Sequence, residues 1–205
     1  MVVYAPIGLA HVALEWLSAR GTTTMSKTEK KIHKAISDWA GDLVALESHV
    51  EEAMDRQLNL KSDNAELTNA IQHFHDTVLE GKHAAEAFQE QYGSTAGNPV
   101  IKAGSNLLGK AAGLIDQMRS DSIAKALRDD YAAYNLLAIS YTMLHTTSMA
   151  LEDEDGMVFA EHGLRRYAGL VQEINNVMPL AVIEELKGND DYPVQDTDVV
   201  DGCRR

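Results

Sequence analysis

A chain of 205 residues, with 45% hydrophobic and 24% charged residues, has enough apolar material for one globular domain with tails. Its net charge of −13 repels phosphate backbones and argues against nucleic-acid binding. The single cysteine, Cys203, excludes an intramolecular disulfide and zinc-finger or iron–sulfur spacing, and no apolar run is long enough for a membrane span. These features favour a protein of the cytoplasm.

Residues 1–24 read as an N-terminal extension. They are largely apolar, but they lack the basic start and the small-residue cleavage site of a secretory signal. Gly21 begins a short join, and the segment from Met25 is typical of a natural amino terminus. We therefore interpret residues 1–24 as a mis-assigned start or a loosely attached helix.

The first predicted helix runs from Thr28 to about Leu60, because apolar residues recur at intervals of three and four. They are Ile32, Ile36, Trp39, Leu43, Leu46, Val50 and Met54. Glu47 lies inside this stripe, and Glu51 lies at its edge. Since a buried carboxylate without a partner is costly, we expect Glu47 to bind a metal ion or to accept a hydrogen bond from a Tyr, His or Arg side chain.

The second predicted helix covers about 65–92, with Asn64 as its cap. His73 and His75 flank its apolar stripe on opposite sides, so either can reach a site near Glu47. The spacing Glu80-x-x-His83 matches a metal-binding motif, but both residues point away from the stripe and are expected to face solvent.

A crossover follows, with a short helix over about 99–119. The third long helix is predicted over about 121–151. The last spans about 156–178, where Pro179 kinks or ends it and residues 180–186 add a turn or two. Residues 25–187 thus form a predicted bundle, and residues 188–205 an acidic disordered tail.

The second half of the chain is poor in metal ligands. No Asp or Glu occurs between Asp130 and Glu152, whereas a di-metal bundle site needs carboxylates on all four helices and Glu-x-x-His pairs on two. His145 lies on the predicted core face with no carboxylate near it, and Glu161 lies at the edge of the last stripe. Four tyrosines are expected to fill the centre of the bundle: Tyr131, Tyr134, Tyr141 and Tyr167.

Several segments of the chain carry recognisable motifs. They are Asp42-Leu-Val-Ala-Leu-Glu47, Gln72-His-Phe-His-Asp-Thr77, Lys110-Ala-Ala-Gly-Leu-Ile-Asp116, and Asp129-Asp-Tyr-Ala-Ala-Tyr-Asn135 followed by Ser140-Tyr141. Together with the order of helices and the loop lengths, they resemble the YciF-like (YciE/YciF) family of ferritin-like proteins, which are bacterial stress-associated helical bundles.

The resemblance implies an all-α, ferritin-like four-helix bundle with a crossover that carries a short extra helix, and it implies a homodimer. Glu47 corresponds to the family's first-helix ligand, and His73 to its second-helix histidine. The chain departs from the family at Tyr134 and Asn135, which replace a Glu–His pair, and in the last helix around Arg165, where the family is rich in Glu. The ligands of the third and fourth helices are therefore missing.

We predict a ferritin-like bundle of stress-response type that is non-catalytic, has a degenerate metal site, and acts through dimerisation or through a protein partner. The alternative is a di-metal bundle that holds iron or manganese and has weak oxidase or storage activity. Its main ligand candidates are Glu47 and His73, with Glu51, His75, His145 and Glu161 as weaker ones. We expect neither a nucleic-acid nor a membrane partner.

Overall fold

The computed structural model describes residues 25–60, 62–92, 122–188 and 193–194. These residues form four helices and no strand: α1 (Lys27–Gln57), α2 (Ala65–Gln91), α3 (Ile123–Ala150) and α4 (Glu154–Lys187). The prediction of an all-helical chain is confirmed for this part. None of the four helices is both long and apolar enough to cross a membrane. The N-terminal extension, the crossover with its short helix, and nearly all of the predicted tail lie outside the described residues.

The helices begin where side chains can satisfy their free backbone N–H groups. Ser26 and Glu29 bond to each other's backbone N–H groups at the start of α1, which is a capping box. Asn64 caps α2, as predicted, by accepting from the N–H groups of Glu66 and Leu67. Ser122 caps α3 in the same way. Local sequence therefore sets these boundaries.

The connection between α3 and α4 is a tight turn. Glu152 takes a left-handed backbone conformation, with φ of 55°, and Asp153 then caps α4 by accepting from the Gly156 N–H at 3.1 Å. Glu154 and Asp155 place negative charge in the first turn of α4, which suits the positive end of the helix dipole. Pro179, in contrast, does not end α4, which continues to Lys187. Pro179 has no N–H group, so the carbonyl of Asn175 lacks its usual hydrogen bond within the helix. Because Asn175 is exposed, water can donate to this carbonyl instead.

All four helices contribute to one hydrophobic core in the compact unit that begins at His33. Its largest fully buried side chains are Tyr134, Tyr141, Tyr167, Phe74, Ile36, Leu43, Met54, Leu67, Leu127, Leu137, Leu144 and Leu170. Three of the four tyrosines predicted to fill the centre do so. The fourth, Tyr131, is 40% exposed, so the prediction was wrong for it.

Candidate functional site

Glu47 is the central polar residue of the core, with no exposed surface. The hydroxyl of Tyr141, on α3, donates to Glu47 Oε1 at 2.7 Å. The hydroxyl of Tyr167, on α4, donates to Glu47 Oε2. The carboxylate is thus satisfied in one of the two ways expected from the sequence, by hydrogen bonds from neighbouring tyrosines.

Burial dominates the electrostatics of this cluster. It raises the pKa of Glu47 to about 7, although the two tyrosine hydroxyls and the nearby Arg166 guanidinium act in the opposite direction. Burial also raises the pKa values of Tyr141 and Tyr167, and the Glu47 charge adds to this effect. Both hydroxyls therefore stay protonated as donors, while Glu47 can take up or release a proton near neutral pH.

Two glycines make room for the cluster. A Cβ atom at Gly81, on α2, would lie 3.0 and 3.1 Å from the two Glu47 oxygens and would overlap the Tyr167 hydroxyl. A Cβ atom at Gly163, on α4, would overlap the ring of Tyr141. Sequence reasoning gave neither glycine a role, because the need for a close approach depends on how the helices pack.

A second buried carboxylate, Asp130, was missed by the sequence analysis. It has no exposed surface, and its Oδ1 accepts a hydrogen bond of 2.6 Å from Nε2 of Gln57 on α1. Burial raises the pKa of Asp130 to about 8. The signal was its spacing: Asp130, Tyr134, Leu137 and Tyr141 follow at intervals of four, three and four, which is one helix face.

Tyr134 lies between the two buried carboxylates. Its hydroxyl contacts the Met54 sulfur at 3.2 Å, and its ring centroid lies 5.9 Å from that of Tyr167 and 6.3 Å from that of Phe74. Tyr141 and Tyr167 stack with centroids 5.8 Å apart. Rings and hydroxyls therefore occupy the bundle centre between Glu47 and Asp130.

The two candidate histidines of α2 do not reach Glu47. His73 has a half-exposed side chain and pairs with Glu173 of α4 at 3.1 Å. His75 is nearly buried, and its ring nitrogens lie 3.2 Å from Asp76 and 3.8 Å from Asp55.

The remaining ligand candidates also have other surroundings. Glu51 bonds to Lys82 of α2 at 2.9 Å. Glu161 pairs with Arg165 on the exposed face of α4 at 2.6 Å. His145 is only half-buried. Within the described ranges, no group of three or more His, Cys, Asp or Glu side chains could hold a metal ion.

The site does not fit a di-metal centre of the kind that the family resemblance implies. Such a centre needs carboxylates from four helices and Glu-x-x-His pairs on two. Here Glu47 is the one predicted ligand at the centre, and tyrosine hydroxyls from α3 and α4 bond to both of its oxygens. The exposed positions of Glu80 and His83 confirm that this motif faces solvent.

Comparison with known proteins identifies no relative of this chain. The chain matches no protein-family model, and no curated protein or solved structure is significantly similar to it. The resemblance to YciF-like proteins stays a prediction.

Proposed function

We propose that this protein is a non-catalytic, ferritin-like helical bundle in which a tyrosine–carboxylate cluster takes the place of a metal centre, and that it acts in a stress response through association with protein. The observation that carries this proposal is the pair of hydrogen bonds to Glu47. They come from Tyr141 and Tyr167, which stand on the two helices that would have to supply the missing ligands.

Two physical arguments support a structural role for the cluster. A cation at Glu47 would have to share the carboxylate with two tyrosine hydroxyls, which already occupy one lone-pair site on each oxygen. In addition, Glu47, Tyr134, Tyr141 and Tyr167 have no exposed surface, so a substrate could reach Glu47 only if the helices separated. A cluster of this kind specifies how the helices pack.

Metal content tests the proposal directly. Purified protein would be loaded anaerobically with Fe(II) or Mn(II), desalted, and analysed for bound metal, alongside Glu47→Gln and a control, Glu52→Gln, whose side chain on the same helix is 68% exposed. We expect no stoichiometric metal in any of the three proteins.

Binding of about two metal ions per chain, lost in Glu47→Gln and kept in Glu52→Gln, would overturn the proposal. That result would favour the alternative of an iron or manganese bundle with oxidase or storage activity.

A further inference from the structure

All three phenylalanines and four of the seven tyrosines of the chain form one continuous series of ring contacts. In order of contact the series is Tyr92, Phe88, Phe159, Tyr141, Tyr167, Tyr134 and Phe74. Successive ring centroids lie 4.0–6.3 Å apart, the range of direct aromatic contact. Because aromatic residues make up only 6% of the chain, this series is a property of the packing and not of an aromatic-rich sequence.

The series connects the surface to the buried cluster around Glu47. Tyr92, which follows α2, is half-buried, and its ring lies 4.9 Å from that of Phe88. Phe88 and Phe159 are stacked, with centroids 4.0 Å apart and an angle of 7° between the rings. The ring of Tyr141 then lies 5.6 Å from that of Phe159. Electrons can pass between rings in contact, so the buried cluster can react with an oxidant that stays outside.

Three tyrosines of the series donate their hydroxyls to carboxylates. Tyr92 donates to Asp153 at 2.6 and 2.7 Å. Tyr141 and Tyr167 both donate to Glu47. A phenol that loses an electron becomes a much stronger acid, and its proton then needs a base within hydrogen-bond reach. Any acceptor could satisfy a buried hydroxyl, but a carboxylate can also take up the proton.

Burial of Glu47 favours a radical in the core over one at Tyr92. Burial penalises the negative charge of Glu47 and raises its pKa to about 7. When Tyr141 or Tyr167 loses an electron and passes its proton to Glu47, this buried anion becomes a neutral acid beside a neutral radical. The core no longer holds a charge, which favours the products. Asp153 is only half-buried, so the same step at Tyr92 gains less from burial.

We propose that the aromatic series is a one-electron relay, through which an oxidant at the surface near Tyr92 draws an electron from Tyr141 or Tyr167. The oxidant, of the class of peroxide-derived radicals, is reduced by that electron. The phenolic proton moves along the hydrogen bond to Glu47 and leaves a neutral phenoxyl radical. One electron from a small reductant, such as ascorbate or a thiolate, returns by the same route, and the proton goes back to the phenolic oxygen.

The surroundings of the cluster determine where the oxidising equivalent settles. The hydroxyl of Tyr134, further along the series, contacts the Met54 sulfur at 3.2 Å rather than a carboxylate, so it has no base for its proton. The radical therefore settles on Tyr141 or Tyr167. Both side chains have no exposed surface, so their radicals cannot couple with a radical on another molecule. The relay thus adds an activity, storage of one oxidising equivalent, to the structural role proposed above.

Flash oxidation of the full, metal-free chain, followed by electron paramagnetic resonance, tests the relay. A ruthenium–bipyridine photo-oxidant is attached at Glu90→Cys, an exposed position near Tyr92, in a Cys203→Ser background with an irreversible cobalt(III) electron acceptor. We expect a long-lived neutral tyrosyl radical, formed more slowly in D₂O because the phenolic proton moves. Phe159→Leu should lose most of this signal, because it removes a ring between Tyr92 and the cluster. Phe74→Leu, the same change beyond the cluster, is the matched control and should keep the signal.

Variants of the cluster identify the oxidised groups and the base. Tyr141→Phe/Tyr167→Phe removes both phenols and should abolish the long-lived signal, whereas Tyr131→Phe, at an exposed tyrosine outside the series, should keep it. Glu47→Gln retains an acceptor oxygen but cannot take up the proton, so it should also lose the signal. Glu52→Gln, whose side chain is 68% exposed, should not. Circular dichroism verifies that each variant is folded.

The paired variants make the relay falsifiable even if the double tyrosine variant does not fold. Equal signals in Phe159→Leu and Phe74→Leu would show that the electron does not pass through the series. A long-lived radical that survives in Glu47→Gln would likewise overturn the proposal. The attached photo-oxidant supplies the oxidising equivalent without metal, so failure of the relay and failure of the metal-free core are told apart.

Discussion

Gln57 and Asp130 form a buried hydrogen bond of 2.6 Å that leaves the amide oxygen of Gln57 and the second carboxylate oxygen of Asp130 without a partner. The unpaired atoms are Gln57 Oε1 and Asp130 Oδ2, and both are acceptors while Asp130 is ionised. A proton on Asp130 would turn Oδ2 into a donor for an acceptor such as Oε1. The pair is therefore suited to a neutral Asp130, in agreement with the raised pKa of this carboxyl.

We predict that the stability of the protein falls as the pH rises through the neutral range. The pKa of Asp130 is about 8 in the folded state, whereas an unfolded Asp titrates near about 3.9. Protonation of Asp130 in the folded state therefore stabilises the protein fully below about pH 4, and this contribution is lost as the pH rises towards 8. The free energy of unfolding should fall by up to about 1.4 kcal/mol per pH unit, the slope for one proton. Urea unfolding at several pH values measures the slope.

Asp130→Asn should flatten this pH dependence and raise Tm at alkaline pH, because the amide stays neutral and can bond to both polar atoms of Gln57. Asp38→Asn is the control, since that carboxylate pairs with Lys34 at the surface. Glu47, with a pKa of about 7, should account for the slope that remains below neutral pH. An unchanged slope in Asp130→Asn would assign the effect to another group.

The helices were predictable because the apolar stripes of α1 and α2 have a clear inward face. Glu47 was recognisable for the same reason, because a carboxylate inside an apolar stripe is costly to bury unless it has a partner. The fold prediction was weakest on α3, which from Tyr131 to its end carries no Asp, Glu, Lys or Arg on either face. Periodicity therefore could not tell which side faced the core, and Tyr131 was placed inward in error.

The partners of the site residues could not be predicted, because they depend on contacts between helices far apart in sequence. His73 pairs with Glu173 of α4 rather than with Glu47. Gln57, a polar residue at the end of α1 to which the sequence analysis gave no role, is buried against Asp130. Such pairings depend on the rotation and offset of packed helices, which the spacing within one helix does not determine.

The two hydrogen bonds to Glu47 should each contribute measurably to stability. Tyr141→Phe or Tyr167→Phe leaves one buried oxygen of Glu47 without a donor, which costs about 1–3 kcal/mol. The double variant should differ from the sum of the two, because both bonds share one carboxylate. Chemical denaturation measures these changes, with Tyr131→Phe as the exposed control. Losses no larger than those of the control would show that the cluster does not stabilise the fold.

Gly81 and Gly169 should respond in opposite ways to alanine. At Gly169, on α4, a Cβ atom meets nothing within 4 Å, so Gly169→Ala should stabilise the helix by about 0.5–1 kcal/mol. At Gly81 the same atom would press on Tyr167 and Glu47, so Gly81→Ala should destabilise the protein despite its better helix propensity. The two Tm values provide the test. A gain in Tm at Gly81 would mean that α2 does not lie against the cluster.

Asp153 should stabilise the protein more than an ordinary helix cap does, because it also accepts a hydrogen bond from the residue at the end of α2. Its carboxylate accepts from the Gly156 N–H at the start of α4 and, at 2.6 and 2.7 Å, from the hydroxyl of Tyr92, which follows α2. Asp153→Ala removes both interactions, about 1 kcal/mol for the cap and about 1.5–3 kcal/mol for the hydrogen bond to a charged group.

The variants Asp153→Asn and Tyr92→Phe separate the two contributions in thermal unfolding. Asp153→Asn should retain most of the stability, because its amide oxygen can still cap α4, whereas Tyr92→Phe should lose only the bond to the hydroxyl. Ser122→Ala, at the cap of α3, serves as the comparison and should cost about 1 kcal/mol. If Asp153→Ala costs no more than Ser122→Ala, the link between the end of α2 and the start of α4 does not add to the cap.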